Sequence, residues 1–392
     1  MISLAKPEDA PRALMRPVRV LHVMRDLFAK GGTPRKCLCL ARESDPREVR
    51  HDFLLFNDTE DSLAAAVEAL GSTVLRSRRT GQWDVRLVSD VVRAVDLLES
   101  DVVSTHFARA DIYGCLGGTL ARRPVVKNIH GIVWNESASI KLAQVLDSSL
   151  ARWRFAVVCN SQATLDAARN RGPMVNPIVV HNGVDSLSGL VEPSDRLRLR
   201  GELGIPVGAF VFGHIGGLIP IREQNLLVEA AASLAMRGDR AHCVIVGDGP
   251  SRGALESLAH TLGITARVHL VSYRDDVAAV LSVMDAYVNM CGAEGFGIAV
   301  VEAMGLGIPV ILADAGAHPE LIDDGISGLL VPAGALAPLV RALERLSGDS
   351  NERARMGAAG RLVAHTRFGM TRYADLLNAV YVAAATSGRD AV

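Results

Sequence analysis

Short apolar runs alternate with amphipathic stretches along most of this chain. Compact apolar runs bounded by turn residues are typical of buried strands, whereas apolar residues three and four positions apart are typical of helices. In the first half, the runs that predict strands are 18–24, 51–56, 73–75, 101–106, 125–130, 156–160 and 178–180. In the second half they are 210–215, 243–246, 268–271, 286–290, 310–312 and 329–331.

Helical patterns separate these strands. In the first half they cover 62–70, 85–98, 111–121, 139–151 and 163–170, with one more helix beginning near Arg35. In the second half helices begin near Glu223, Ser251, Asp276, Phe296 and His318. Strands that alternate with helices at this spacing predict right-handed βαβ units and parallel sheets. Ligands bind such sheets beyond the carboxyl ends of the strands, which is where Gly31-Gly32, His106 and His130 are expected.

The chain divides near its middle. His181-Asn182-Gly183-Val184-Asp185 is a turn signal, and a polar stretch follows it up to Arg200. At 392 residues the chain is long for one core, so we expect two domains. The predicted division is a flexible arm at 1–16, a domain at 17–190, a linker at 191–206, a second domain at 207–368 and a terminal helix at 369–392.

Composition narrows the functional classes. With 49% hydrophobic and only 4% aromatic residues, the chain suits an α/β fold better than a β-sandwich. A net charge of −1 gives no broad attraction to nucleic acid or to an acidic membrane. The six cysteines form no Cys-x-x-Cys pair, and we find neither a leader pattern nor an apolar run of the roughly 18–20 residues that span a bilayer. We therefore expect a soluble cytoplasmic protein, of an oligomeric state that the sequence does not indicate.

The most informative stretch runs from Gly292 to Pro332. It places Glu294 and Glu302 eight positions apart around a glycine-flanked helix start. Such a start exposes backbone N–H groups that favour anions, and carboxylates accept hydrogen bonds well from sugar hydroxyls. A helical rise over eight residues would separate the carboxylates by up to about 12 Å, which fits one long ligand held at two places. Two solvated helix charges are the ordinary alternative.

This stretch resembles family 4 of the retaining glycosyltransferases, whose hallmark is Glu-x7-Glu in such a frame. Further motifs occur in the family's order, and the resemblance covers roughly 18–385. They are Gly31-Gly32, His130-Gly131, Asn182-Gly183-Val184-Asp185, Gly247-Asp248-Gly249-Pro250 and Tyr273-Arg274-Asp275-Asp276. The resemblance implies the GT-B architecture, two Rossmann-like doubly wound domains facing across a cleft, with the terminal helix crossing back to the first domain.

The resemblance also implies the donor site. Glu302 would hold the ribose of a nucleoside diphosphate sugar and Glu294 the transferring hexose, with His130 near the reacting carbon. The residues expected to contact the phosphates, the base and the sugar of this donor are Gly31, Gly32, Gly217, Arg222, Tyr273, Arg274, Gly295, Phe296, Gly297 and Ile298. The implied reaction is retaining and needs no enzymatic nucleophile, and His130, Glu294 and Arg222 are the expected catalytic residues.

One position departs from the family. Family members carry Gly-Arg-Leu-x-x-x-Lys-Gly at the first helix of the second domain, where the two cations clamp the diphosphate. Here Arg222 stands for the lysine, but Gly217 stands for the arginine. His214, Arg252, Arg25 and Arg35 are candidates to supply the missing charge. Alternatively, the chain is a weakly active or non-catalytic sugar-nucleotide-binding protein.

No metal or organic cofactor is expected. The sequence contains no Asp-x-Asp, and its His and Cys residues lack metal-ligand spacing. A UDP-sugar 2-epimerase, which also has two Rossmann-like domains, is a further alternative that the ordered motifs disfavour. The acceptor is open, since a lipid carrier, a polysaccharide and a small aglycone all fit. Arg76, Arg78 and Arg79 offer a contact to an anionic acceptor or a weak one to a membrane surface, unless this is simply a solvated loop.

Overall fold

The computed structural model describes residues 16–29, 31–57, 60–79, 84–132, 145–185 and 193–389. The predicted N-terminal arm lies outside this range apart from Arg16, and so does part of the predicted helix at 139–151. The chain forms two compact units. The first takes in the chain up to Asp185 together with the segment from Met370 onward, and the second takes in Ser186–Gly369.

The first unit contains a seven-stranded parallel sheet of order β3-β2-β1-β4-β5-β6-β7. Its strands are β1 Val18–Met24, β2 Val49–Leu55, β3 Val74–Arg76, β4 Val102–His106, β5 Val125–Ile129, β6 Ala156–Cys159 and β7 Pro177–Val179. Its helices include α1 Gly32–Glu43, α2 Ala64–Ala69, α3 Leu87–Leu97, α4 Ala108–Leu120 and α5 Gln162–Arg169.

The second unit contains a six-stranded parallel sheet of order β10-β9-β8-β11-β12-β13. Its strands are β8 Val211–Ile215, β9 His242–Val246, β10 Val268–Val271, β11 Ala286–Asn289, β12 Val310–Ala313 and β13 Leu329–Val331. Its helices are α6 Pro193–Glu202, α7 Asn225–Met236, α8 Arg252–Thr261, α9 Val277–Ser282, α10 Ile298–Gly305, α11 His318–Leu321, α12 Leu336–Gly348 and α13 Ser350–Arg367. Two Rossmann-like parallel-sheet units confirm the predicted α/β fold class.

The last helix, α14 Met370–Arg389, packs on the sheet of the first unit. Tyr373, Leu377 and Tyr381 are almost completely buried, in one apolar cluster with Val20 and Val102 of β1 and β4. The helical spacing of its apolar residues was visible in the sequence, and burial of that face explains why the helix is attached here. Among the described residues, no helix is both long and apolar enough to cross a membrane.

The polar stretch predicted as a linker is partly helical. Helix α6 occupies most of it, although only Leu199 and Arg200 are buried. Arg200 donates hydrogen bonds to the carbonyl oxygen of Val283 at 2.7 and 2.9 Å and to Asp285 at 2.9 Å. That these residues act as a linker stays a prediction. Buried polar bonds fix the helix, and such bonds leave no apolar periodicity in the sequence.

The strand order of each sheet reverses at one point, between β1 and β4 in the first unit and between β8 and β11 in the second. Loops diverge at such a point and leave a crevice beyond the carboxyl ends of the strands. Gly31-Gly32 follows β1, and Gly216-Gly217 follows β8. Glu294 lies beyond β11. The topology therefore brings several predicted site residues to the places where α/β proteins bind ligands.

Candidate functional site

Glu294 lies in the loop after β11, and the backbone of the loop after β12 holds it in place. Its carbonyl oxygen accepts a hydrogen bond from the N–H of Ala317 at 3.0 Å. Gly316 has φ +57°, and a Cβ there would lie 2.7 Å from the same oxygen. Only glycine permits that close approach. The loop after β12 therefore fixes the height of Glu294 above the sheet.

The Glu294 carboxylate forms an ion pair with Arg222. Asn289 Nδ2 donates to its Oε2 at 3.3 Å, and the N–H of Gly295 donates to its Oε1 at 3.2 Å. Burial acts to raise the pKa of Glu294, but Arg222 and the other donors outweigh it and hold the pKa below its usual value. The two residues predicted to contact hexose and diphosphate are thus adjacent and oppositely charged.

Two buried histidines flank this ion pair. The Nδ1 atoms of His214 and His318 each lie 3.0 Å from a carbonyl oxygen, of Val288 and Ala313 respectively. A carbonyl only accepts, so each Nδ1 carries the proton and each Nε2 presents a lone pair. Neither Nε2 has a hydrogen-bond partner among the described residues. Burial and then Arg222 lower the pKa of His214 to about 4, so it is neutral and does not supply the missing cation.

Hydrogen bonds hold the backbone of the loop at Gly217, and the position of a side chain there is unoccupied. The backbone is held by Leu218 N–H to the Asp248 carbonyl at 3.0 Å and by Gln224 Nε2 to the Gly217 carbonyl at 2.9 Å. Gly217 itself is exposed, and a Cβ there would meet no atom within 4 Å. Another candidate cation, Arg252, donates to the carbonyl oxygens of Leu270 and Gly247, each at 3.3 Å. The position is therefore able to accommodate the arginine that it lacks.

Glu302 lies on α10, five residues into the helix. That helix begins at Ile298, and Gly297 before it has φ +90°. The turn from Glu294 to Gly297 is not helical, so the separation of about 12 Å expected from continuous helical rise does not apply. Phe296 is buried, and its ring packs edge-on against Phe368 at 5.6 Å. It faces the core, so a ligand would meet its backbone.

Tyr273 and Arg274 follow β10 as expected. The N–H of Tyr273 donates to Asp248 at 3.0 Å, and its hydroxyl donates to Asp275 at 2.8 Å. Arg274 pairs with Asp276, donating through Nε at 2.7 Å. These bonds tie the loop after β10 to the loop after β9. The predicted contact with a nucleotide base stays a prediction.

In the first unit, Gly32 begins α1. Gly31 is the residue before the helix, and a Cβ there would lie 2.9 Å from Pro34 Cδ. His130 follows β5, and both of its ring nitrogens are engaged. Nδ1 lies 3.1 Å from Lys36 Nζ, and Nε2 lies 3.0 Å from Nδ1 of His106. Burial lowers the pKa of His130 well below its ordinary value, so the ring is neutral.

Lys36 was not predicted. Its ammonium lies between His130 and Asn182, whose Oδ1 accepts a hydrogen bond at 2.7 Å. Burial lowers the pKa of Lys36 to about 8. Lys36 thereby links the helix after Gly31-Gly32 to two other family motifs. A lone lysine five residues into a helix carries no sequence signal for this role.

The fold also gathers His22, Cys37 and His106, whose possible ligand atoms all lie within 4.8 Å of one another. Sequence spacing could not show this grouping. However, both ring nitrogens of His22 and of His106 are hydrogen-bonded to other histidines. Burial raises the pKa of the Cys37 thiol to about 12, which keeps it protonated. Hydrogen bonding accounts for the grouping, and we assign no metal to it.

Two family models match most of the chain. The model described as "Glycosyltransferase Family 4" matches residues 30–186, and "Glycosyl transferases group 1" matches residues 195–363. The chain belongs to the family 4 glycosyltransferases. This confirms the resemblance drawn from the motifs, and the residues matched span both units. The roles given above to single residues stay predictions.

The chain is also similar to individual glycosyltransferases and solved structures. The D-inositol 3-phosphate glycosyltransferase of Mycobacterium leprae is 29% identical over 307 residues, which cover 72% of this chain and 68% of the relative. The structure of Anabaena Alr3699/HepE in complex with UDP is 26% identical, with a TM-score of 0.80, over 92% of this glycosyltransferase and 98% of HepE. The same Anabaena protein has been solved with UDP-glucose, with a TM-score of 0.79. A glycosyltransferase from Rickettsia africae, at 14% identity and a TM-score of 0.80, shares the fold.

Proposed function

We propose that this glycosyltransferase transfers a hexosyl unit from a UDP-sugar to a hydroxyl of its acceptor, with retention of anomeric configuration. The observation that carries the proposal is the pairing of Arg222 with Glu294 at the strand-order reversal of the second sheet. That is where the family motif expects the sugar and the diphosphate to meet. The Anabaena relative, solved with UDP and with UDP-glucose, supports uridine as the base and glucose as the first sugar to test.

The proposed step is a same-face substitution at the anomeric carbon. The bond from the acceptor oxygen to that carbon forms, the bond to the diphosphate oxygen breaks, and the acceptor proton moves to the departing diphosphate. Arg222 would stabilise the charge that develops on the leaving group, and Glu294 would orient the hexose through its hydroxyls. The proposal assigns this charge stabilisation to protein groups and to no metal ion.

The test is turnover with a panel of UDP-sugars, measured as UDP release and as sugar transfer by mass spectrometry. NMR of the product then gives the anomeric configuration. We expect release to require Glu294 and to be preserved in Glu256→Gln, a control on the exposed side of α8. An inverted product would contradict retention, and release that survives Glu294→Gln unchanged would contradict the assignment of the hexose contact.

A specific observation favours a second candidate, a protein that binds the donor without transferring it. Gly217 lacks the family cation, and Arg222 is already neutralised by Glu294. Loss of one preorganised charge contact to a leaving group costs about 3–4 kcal/mol of transition-state stabilisation. Under this candidate, calorimetry detects UDP-sugar binding, no acceptor yields product, and Gly217→Arg brings no gain.

For the acceptor, we propose a phosphorylated or otherwise anionic molecule bound by the first unit. A cavity of about 690 Å³ lies between β3 and α3 and contains five arginines but only two aspartates among its described lining residues. The arginines are Arg76, Arg78, Arg79, Arg86 and Arg93, and the aspartates are Asp84 and Asp90. The mycobacterial relative is named for D-inositol 3-phosphate, an acceptor of this charge class.

Arg78 is the arginine on which to test the acceptor. It is exposed and has no ion-pair partner within the described part of the chain, whereas Arg79 and Arg86 are paired with Asp90 and Asp84. We expect Arg78→Gln to raise the KM of an inositol phosphate without changing the KM of the donor. Equal use of inositol and inositol phosphate would contradict an anionic acceptor.

A further inference from the structure

Four histidines stand side by side across four neighbouring strands of the first unit. His51 lies on β2, His22 on β1 and His106 at the end of β4, and His130 follows β5. The ring nitrogens are joined in series, 2.9 Å from His51 to His22, 3.0 Å from His22 to His106 and 3.0 Å from His106 to His130. We call these four residues the histidine chain. At about 4.8 Å per strand spacing, it connects positions about 14 Å apart.

One end of the histidine chain meets a group that only donates. Lys36 Nζ lies 3.1 Å from His130 Nδ1, and a protonated amine has no lone pair. His130 Nδ1 must therefore accept, which places the proton of the neutral ring on Nε2. That N–H donates to Nδ1 of His106, which therefore carries its own proton on Nε2. His106 Nε2 lies 3.0 Å from His22 Nδ1 and has only a longer second contact, to Ser104 Oγ at 3.4 Å, so the same reasoning applies to His22 and His51. Each ring then carries its proton on Nε2.

The other end imposes the same direction. His51 Nε2 lies 3.0 Å from Ser44 Oγ. The single hydroxyl proton of Ser44 is donated to the Leu40 carbonyl at 2.7 Å, and Asn378 Nδ2 donates to Ser44 Oγ at 2.9 Å. Ser44 is left as an acceptor toward His51. Both ends thus require every proton to point from His130 toward Ser44.

The surroundings make this direction hard to reverse. His22, His51 and His106 are at most 3% exposed, so water cannot replace a lost bond. Burial lowers the pKa of all four rings, to about 4 for His51 and well below the ordinary value for the others, which keeps each ring neutral with one donor and one acceptor. A reversed ring would leave two donors facing each other in a dry site.

We propose that the histidine chain is a one-way hydrogen-bond relay that holds His130 as its Nε2–H tautomer, with the Nδ1 lone pair directed at Lys36. His51, His22 and His106 are positioning residues, because they act on the site only through His130. The effect of the relay on sugar transfer rests on the proposed function. The tautomers do not, because they follow from the bonding pattern alone.

The tautomers are measured by ¹⁵N NMR of the full-length protein labelled at histidine, at pH 7, with each ring assigned by single substitution. We expect His130, His106, His22 and His51 to be neutral with the proton on Nε2. Any of the four found charged, or protonated on Nδ1, would overturn the proposal. This measurement needs no substrate and no active enzyme.

A matched pair of variants tests the relay. In His51→Gln the amide oxygen accepts from His22 and the amide nitrogen donates to Ser44, so the row continues. In His51→Leu the Nε2–H of His22 loses its acceptor. Moving the protons of His22, His106 and His130 to Nδ1 then competes in free energy with leaving that buried N–H unpaired. We expect an Nδ1–H population of His130 in His51→Leu that is absent from His51→Gln. Identical His130 signals in the two variants would overturn the relay.

Kinetics separate positioning from mere stability. We expect His51→Leu to lower kcat for UDP-sugar turnover about tenfold, which is the scale of loss when a hydrogen-bond partner of a metal-bound histidine is removed. The KM of the donor should stay unchanged, and His51→Gln should restore kcat. If His51→Leu lowers only the melting temperature, the role of His51 is structural and the positioning claim fails. If the wild type transfers no sugar, the proposed function fails, and the NMR result still decides the relay.

Discussion

Arg222 and Glu294 form an ion pair although they lie 72 positions apart in the sequence. One residue ends the short turn Pro220–Arg222 after β8, and the other follows β11, the neighbouring strand. The pair places the predicted diphosphate contact directly beside the predicted hexose contact. Arg222 is therefore already ion-paired with a carboxylate before a sugar donor binds.

Removing the cation should therefore destabilise the fold as well as the site. In Arg222→Met, the largely buried Glu294 carboxylate loses its charged partner, and we expect a loss of about 1–3 kcal/mol in the free energy of unfolding. Arg222→Lys keeps a positive charge and should recover part of the lost free energy of unfolding. Denaturant unfolding at pH 7 measures both. Equal stability of wild type and Arg222→Met would show that the pair contributes nothing.

Restoring the family cation should increase activity. Gly217 is exposed, its φ is not positive, and a Cβ has open space, so Gly217→Arg introduces no strain. If the diphosphate lies over this loop, one added charge-assisted contact should raise kcat/KM at least about tenfold, which corresponds to about 1.4 kcal/mol.

The matched control is Gly348→Arg, which adds the same charge at the last residue of α12, where a Cβ also has open space. Ser347, the preceding residue, donates to Asp239 at 3.0 Å just before β9, so Gly348 lies at the amino ends of the strands, whereas Gly217 follows the carboxyl end of β8. A gain in both variants would indicate a general charge effect. No gain in either would favour the non-catalytic candidate.

The two glutamates should separate kinetically. Glu294→Gln removes the charged acceptor beside the reacting sugar, and we expect kcat to fall about 100-fold or more, on the scale of one lost preorganised group. Glu302→Gln weakens a contact predicted at the ribose, which is made equally before and during reaction, so the KM of the donor should rise and kcat should change little. Steady-state kinetics with UDP-glucose measure both constants. The reverse pattern would exchange the two roles.

Acid should destabilise the first unit through its neutral histidines. Burial holds the pKa of His51 at about 4, below the value near 6.5 that it has when unfolded. Below pH 6.5 the unfolded chain binds a proton that the folded chain does not, so stability falls as pH falls toward the folded pKa. Each such ring contributes up to about 1.4 kcal/mol per pH unit.

Unfolding at pH 7.5, 6.5 and 5.5 tests this contribution. His51→Gln should lose up to about 1.4 kcal/mol less than wild type between pH 6.5 and 5.5, since one titrating ring is gone. Between pH 7.5 and 6.5 the difference should be only about 0.4 kcal/mol, because the unfolded ring goes from about one tenth to about one half protonated there. The same loss in both proteins below pH 6.5 would mean that His51 is protonated in the folded state.

The fold was predictable because its strands are buried on both faces. Parallel strands covered by helices appear as short continuous apolar runs, and all thirteen predicted runs overlap observed strands. Among the described helices, α6, α12 and α13 were missed. Helix α6 buries little more than Leu199 and Arg200, while α12 and α13 lie beyond the last predicted strand.

Each motif of the candidate site could be recognised only because the residues within that motif are close in sequence. Gly292 to Pro332 carries its chemistry in one segment, and there the motif located Glu294 and Glu302. Lys36 lies on α1, three members of the histidine chain lie on separate strands and the fourth follows another strand. Only the order β2-β1-β4-β5 brings them together. A single sequence does not state the order of strands. His106 and His130 could therefore be predicted at strand ends, but their hydrogen bonds to each other and to the other members could not.

The most direct test of the account is donor turnover at the Arg222–Glu294 site. Wild type, Glu294→Gln and Glu256→Gln are incubated with UDP-glucose and an anionic acceptor such as an inositol phosphate, and UDP and the glycosylated product are quantified together. We expect stoichiometric UDP and retained product from wild type and Glu256→Gln, and almost none from Glu294→Gln. Product formed equally well by Glu294→Gln would contradict the central claim.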